Sequence, residues 1–317
     1  MPDTPLARFE AACRSRGDDA KRAAQIVALA PKLPEAALPI MDRHLDRAPP
    51  LVKVAIMDAY FEMTDDDYHE DDLIAILDAA KRRGDAGEET YMAARMALSR
   101  IYQRDGVPRD PWGIGELEIL GVRAVPERRI GLRRRRPTPA ESITIIIHGT
   151  WAADGKWWRN GGDFFDYVRR DLNRPDLYGK TDQYRWSGKN RDRSRKKAAT
   201  SLQKWLAAHP AAEVNVFAHS HGANVAMLAT HHGVKIDRLV MLSPPVRKDY
   251  FAKWSNVRTA WNIQASWDPV VAIAHGGQWF NGHGVKEKEM ETSGHSSSHE
   301  PKVWKKERLP AFVGMPW

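Results

Sequence analysis

A single serine, Ser220, stands between a short apolar run and a helix-forming segment in the stretch 211–230. Val214, Val216 and Phe217 have the β-favouring character of a strand, and residues 222–228 continue as a helix. A strand that enters a helix through Ala218-His219-Ser220-His221-Gly222 turns so tightly that small residues are needed two positions before and two after the serine. Ala218 and Gly222 meet that need. The turn lifts a hydroxyl above the sheet edge, beside the positive end of a helix. The chemistry this suits is attack on an acyl carbon: the hydroxyl then needs a base, the base an orienting acid, and the developing oxyanion N–H donors.

Five residues of this kind arise often by chance, so the weight falls on what surrounds them. Upstream, 143–147 is a continuous β-branched run that reads as a strand buried on both faces, and it ends in His148-Gly149-Thr150-Trp151. The glycine lets the backbone approach the serine, where the N–H of Thr150, or as second choice that of Trp151, joins the N–H of His221 as oxyanion donor. Downstream, 260–265 reads as a strand with Asp268 at its tip, the expected acid. His295, in the loop 293–301, is the expected base, with His283 and His299 as alternatives that also follow Asp268. Around this edge His148, Trp151, Trp157, Trp158, Trp186 and His219 are the residues expected to contact substrate; Trp157 and Trp158 read equally well as core contacts of the next helix.

With strand, His-Gly loop, serine turn, acid and base in that chain order, residues 140–317 resemble the α/β-hydrolase superfamily, in particular its bacterial lipases and esterases. Ala218 stands where the family more often has glycine, a sterically mild change. The resemblance implies an α/β-hydrolase fold, a mostly parallel sheet flanked by helices. It also implies a Ser220-His295-Asp268 triad working through an acyl-enzyme on a small-molecule or lipid ester with an apolar acyl group, phospholipids included. A thioesterase or acyltransferase would use the same residues, and a catalytically inactive hydrolase-fold binding module is the alternative from another class. No cofactor and no metal is expected. His295 and His299 have the i,i+4 spacing of a zinc pair, but their Gly- and Ser-rich setting argues against a helix and the glutamate of the helical zinc motif is missing.

The remainder of the 317 residues must position this edge. Caps and prolines divide the first hundred residues into helices at about 5–16, 18–30, 34–46, 50–63, 69–83 and 87–104, an all-α accessory domain spanning 1–107. A Pro- and Arg-rich linker at 108–139 follows, in which 118–125 has the pattern of a further strand, and the hydrolase part occupies 140–317. Within it the expected order is strand 143–147, helix 162–173, strand 183–186, helix 194–209, strand 214–218, helix 221–232, strands 238–243 and 257–265, and helix 301–308. Residues 1–120 hold 16 Lys and Arg against 23 Asp and Glu, and the rest 33 against 18, so the charge changes sign near the linker. The basic clusters 133–136 and 189–197 suit either an anionic membrane surface or docking on the acidic helices; nucleic acid is the disfavoured partner, since such blocks are commonly solvated faces. The helical part is in addition a candidate surface for a protein partner. No apolar stretch approaches the roughly 18 residues of a membrane span, the N-terminus lacks the core of a secretory signal, and Cys13 is the only cysteine. A cytoplasmic location is the expectation, with signal-independent export also compatible.

Overall fold

The computed structural model describes residues 4–14, 16–64, 69–104, 140–274 and 276–317. Helices come first: α1 (Pro5–Arg14), α2 (Asp19–Leu29), α3 (Pro34–Leu45), α4 (Pro50–Thr64), α5 (Glu70–Arg82) and α6 (Glu88–Arg104). Their starts follow local chemistry. Thr4 Oγ1 accepts from Ala7 N–H at 3.2 Å, Asp18 Oδ1 accepts from Lys21 N–H at 3.0 Å, and Pro34 and Pro50 open α3 and α4. All six lie within a few residues of the bounds read from sequence. Helix α4 is apolar on most of its circumference, with Val52, Val54, Ala55 and Ile56 fully buried, as a helix enclosed by others must be. It packs between α2 and α6. Its buried acid, Asp58, is pushed up to about 7 by burial, against which the Arg100 guanidinium of α6 works from 2.6 Å.

The sheet has the order β1-β2-β3-β4-β5 and is parallel throughout: β1 (Ala140–Ile147), β2 (Ala211–His219), β3 (Ile236–Leu242), β4 (Val257–Ala265) and β5 (Val285–Met290). Alternate side chains serve opposite faces. Ile143, Ile145, Ile147, Val216 and Ala218 pack under α8 (Asp192–Ala208) and α9 (His221–His231). Ile146, Phe217, Val240 and Ile263 pack under α7 (Asp163–Arg170) and α11 (Pro301–Lys306). A parallel sheet covered on both faces, with the serine turn between β2 and α9 and an all-α part before it, is an α/β-hydrolase fold.

Several sequence expectations need correction. The strand expected at 183–186 is a loop; the free edge of β1 is taken instead by 176–178, through Asp176 O with Thr144 N–H at 3.2 Å and Tyr178 N–H with Thr144 O at 2.9 Å. Strand β5, Val-Lys-Glu-Lys-Glu-Met, was not foreseen because its composition opposes β-structure, and it is tolerated as an edge. In the basic stretch 189–197, Arg195 is internal, donating to Tyr250 OH at 2.9 Å, so that cluster is not wholly a surface feature. The linker 108–139, with its strand pattern at 118–125 and arginines 133–136, lies outside the described residues.

A short helix missed by the sequence reading joins the two parts of the chain. Helix α10 (Pro269–Ile273) leaves the end of β4 and buries Val270, Ile273 and Ala274 in the same core as Val54, Met96 and Leu98 of the helical part. One apolar core thus runs from the helices into the sheet-bearing part. Within that core, Arg100→Ala would leave Asp58 to take up a proton and stay buried without its donor, and the expected outcome is a loss of about 1–3 kcal/mol of unfolding free energy in urea melts. A loss under about 1 kcal/mol, the usual worth of an exposed pair, would show that Asp58 does not depend on Arg100.

Candidate active site

The serine turn is held by close contacts that leave little freedom. Ser220 has φ 53° and ψ −133°, a sparsely populated conformation for a residue with a side chain, fixed by its N–H donating to Leu242 O at 2.8 Å. A Cβ on Gly222 would lie 2.5 Å from His148 O and 2.6 Å from Ile147 O, so only glycine lets α9 start this near the end of β1. A Cβ on Gly149 would lie 2.8 Å from Ser220 Cβ, which places the His-Gly loop directly against the serine. His221 N–H, first in α9, has no acceptor within its helix. Among the described residues Thr150 N–H has no backbone acceptor, and Thr150 Oγ1 is buried without a partner. Trp151 was the second-choice donor, and its N–H is already committed to Gly188 O at 2.8 Å, so it is withdrawn from that role.

Asp268 and His295 meet at this edge from the opposite side. Asp268 follows β4 and caps α10, its Oδ1 accepting from Val271 N–H at 2.9 Å, while its Oδ2 accepts from His295 Nδ1–H at 2.7 Å. His295 begins a short 3₁₀ turn, His295–His299, and is 1 % exposed. Its Nε2 is buried with no partner among the described residues. No hydrogen bond joins it to Ser220 Oγ in this structure, yet the ring of His219, the residue before the serine, lies 4.7 Å from the His295 ring. The other two histidines are placed differently. His283 is exposed and stacks on Trp254 at 5.8 Å, and His299 stacks flat on Trp157 at 4.0 Å.

Burial sets the charge of these rings. It drives His299 down to about 3 and His148 to about 4, and carries His219 and His221 well below the ordinary value. At His295 burial acts in the same direction, but the Asp268 charge and hydrogen bond, with Glu89 and Glu88 behind them, outweigh it and hold the imidazole above its ordinary value. Of these five rings His295 is the one whose surroundings favour the protonated form.

A cavity of about 310 Å³ opens over this edge. On one side it is walled by Thr150, Trp151, Trp157, His219 and His295, and on the other by Ala80 and Lys81 of α5 and Glu88, Tyr91 and Met92 of α6. Ser220, 3 % exposed, lies next to this wall and is not part of it. Three residues expected to contact substrate are instead structural. His148 is fully buried between Trp158 and Trp186, with ring centroids 4.7 and 5.7 Å away, and the indoles donate to Ala152 O and His148 O at 2.8 Å. That stack braces the loop carrying Gly149 and Thr150. Trp151, Trp157 and His219 do reach the cavity, Trp151 with Arg95 of α6 over its ring at 4.6 Å.

The sequence reading missed Glu89. Its Oε1 accepts from His295 N–H at 2.7 Å, across more than two hundred residues of chain. Nothing local announces this, since a glutamate in the first turn of a helix is already favoured there by the helix dipole.

No family model matches the chain, and no curated protein matches its sequence. Among solved structures it is similar to a protein provisionally described as a yden-like hydrolase from Pectobacterium atrosepticum, at 14% identity over 55% of this chain and 91% of that one, with a TM-score of 0.37. An uncharacterized protein from Bacillus cereus matches at 13% identity over 97% of this chain and 92% of its own, with a TM-score of 0.34. The type II thioesterase BorB from the borrelidin biosynthetic cluster matches at 15% identity over 57% of this chain and 93% of its own, with a TM-score of 0.31. All three scores are below 0.5, so the fold rests on the sheet topology and the chemistry on the side chains.

The steric demand at the turn is open to direct measurement. Gly222→Ala drives a methyl into two backbone carbonyls and is expected to cost about 1–3 kcal/mol in urea unfolding, as overpacked sites do. A variant as stable as the parent would show that the approach of α9 to β1 is not fixed.

Proposed function

We propose that this chain is a serine hydrolase of carboxylic esters with an apolar acyl group, of the lipase or esterase kind. The observation that carries the reading is His295: a buried imidazole bonded through Nδ1 to a buried carboxylate, with an Nε2 that has no partner among the described residues, and packed against His219, the residue before a serine held in a strained turn. In the reaction read from this geometry Ser220 Oγ attacks the acyl carbon as His295 Nε2 takes its proton. Asp268 fixes the tautomer and stabilises the imidazolium, and the N–H groups of Thr150 and His221 receive the oxyanion. The alcohol leaves with the proton from His295; water, activated by the same ring, then releases the acid and restores the serine.

The walls of the cavity support the substrate class. Trp151, Trp157, Tyr91 and Met92 offer apolar and aromatic surface, and 310 Å³ is at the small end of ligand pockets, which favours a compact acyl group over a long chain. Thioesters present the same acyl carbon and are a natural second substrate series for the same site.

Labelling with a fluorophosphonate probe followed by peptide mapping tests the nucleophile. The expected result is one adduct, on Ser220, lost together with ester turnover in Ser220→Ala. A variant that still turns over ester would overturn the reading. His295→Ala is expected to lose a factor on the order of 10³ or more in rate, and His299→Ala far less, because its ring is stacked on Trp157 and neutral throughout the working range. The base must be neutral to accept a proton, so kcat/KM falls as pH drops. Because its neighbours raise the His295 pKa, the acid limb is expected on the alkaline side of an ordinary imidazole. A flat acid side would count against a histidine base.

A further inference from the structure

We propose that Glu89, on the helical part of the chain, is a positioning residue for the His295 base, so that the helices supply one member of the acid–base assembly. The inference rests on the serine-hydrolase reading and extends it to a residue some 200 positions away. Three contacts lead to it. Glu89 Oε1 accepts from His295 N–H at 2.7 Å. Gly294 has φ 95°, and a Cβ there would lie 2.5 Å from Glu89 Oε2, so the loop is shaped to let the carboxylate in. On the other side Gly294 N–H donates to Trp267 O at 2.8 Å, and Ser293 Oγ donates to Asp18, the cap of α2. The backbone bearing His295 is thereby gripped from the helices at two points and from the end of β4 at a third.

Packing alone does not account for an acid here. Burial first, and then the Asp268 charge, push the Glu89 pKa up to about 7, and its hydrogen-bond partner is a backbone N–H rather than a cation. An amide or hydroxyl would hold the loop at less cost. What the charge adds is an effect on the ring. The groups facing His295 are Asp268, Glu89 and Glu88, which favour its protonated form, and His219, His221 and His299, which burial keeps neutral. Around Glu89 the charged neighbours are Asp268, His295 and Glu88. Glu89 thus fixes where His295 sits and raises its affinity for the proton taken from Ser220, with the two titrations coupled.

The test uses full-length Glu89→Gln and Glu89→Ala, assayed by ester turnover and by fluorophosphonate labelling across pH, with thermal unfolding alongside. In Glu89→Gln the amide oxygen keeps the hydrogen bond and the charge is gone. The expected result is most of the parental kcat on the alkaline plateau and an acid limb moved to lower pH that follows a simple one-proton curve. In Glu89→Ala the loop loses its anchor, and kcat is expected to fall by a factor of about 10 to 100 with KM little changed. An acid limb that stays in place in Glu89→Gln overturns the proposal, whether or not Glu89→Ala folds. So does an unaltered kcat in a folded Glu89→Ala. If the parent protein neither labels nor turns over ester, the serine-hydrolase reading has failed and this proposal falls with it. A labelled parent with unaltered Glu89 variants fails the proposal alone.

Discussion

The carboxylate of Asp268 works in two directions, and the architecture is arranged around that division. Its Oδ1 accepts from Val271 N–H and begins α10, whose Val270 and Ile273 then enter the core of the helices; its Oδ2 accepts from His295 Nδ1–H. A buried carboxylate is costly unless its oxygens are paired, and here each is paired with a donor from a different structural part. The start of α10, which enters the helical core, and the candidate base are therefore held by the two oxygens of one carboxylate. Disturbing the seat of α10 would turn the carboxylate, and turning the carboxylate would misplace the imidazole.

The serine side of the edge is fixed by sterics and the histidine side by electrostatics. Gly149 and Gly222 let β1, β2 and α9 come together so closely that a methyl at either position meets atoms within 3 Å. The buried ring of His148, stacked on Trp186 and tilted against Trp158, then fixes the loop above. Five histidines lie along this edge, on both sides of the serine, and four are kept neutral by burial. Only where carboxylates approach is the loss of solvation overcome, and His295 is the one ring of the five whose protonated form is favoured.

How much of this was legible in sequence follows from what local patterns can record. The β-branched run of β1, the small residues flanking Ser220 and the prolines opening α3 and α4 each answer a local steric or hydrogen-bonding need, so composition shows them. Chain order alone brought Asp268 and His295 into consideration, but between His295 and His299 it offered only loop composition; the bond to Asp268 and the stack on Trp157 are tertiary facts. Strand β5 was hidden because edge pairing overrode poor propensity. Trp158 was read toward the substrate because aromatic residues after such a loop serve core and cavity equally well, and Trp186 because a strand was expected to end there on the same edge; burial places both in the interior. Glu89 and the cover formed by α5 and α6 left no local trace, since amphipathic helices look alike whichever surface they meet.

The shared core through α10 also bears on how the protein is made. Synthesis runs from the N-terminus, and the helices emerge well before residues 269–274, which complete their apolar interior. Until the chain has grown that far, the face awaiting Val270 and Ile273 has no cover, and such surface is what chaperones bind and aggregation exploits. The same order has a protective side. Ser220 emerges before Asp268 and His295, so a growing chain that has just passed the serine turn does not yet carry the acid and base proposed to serve it.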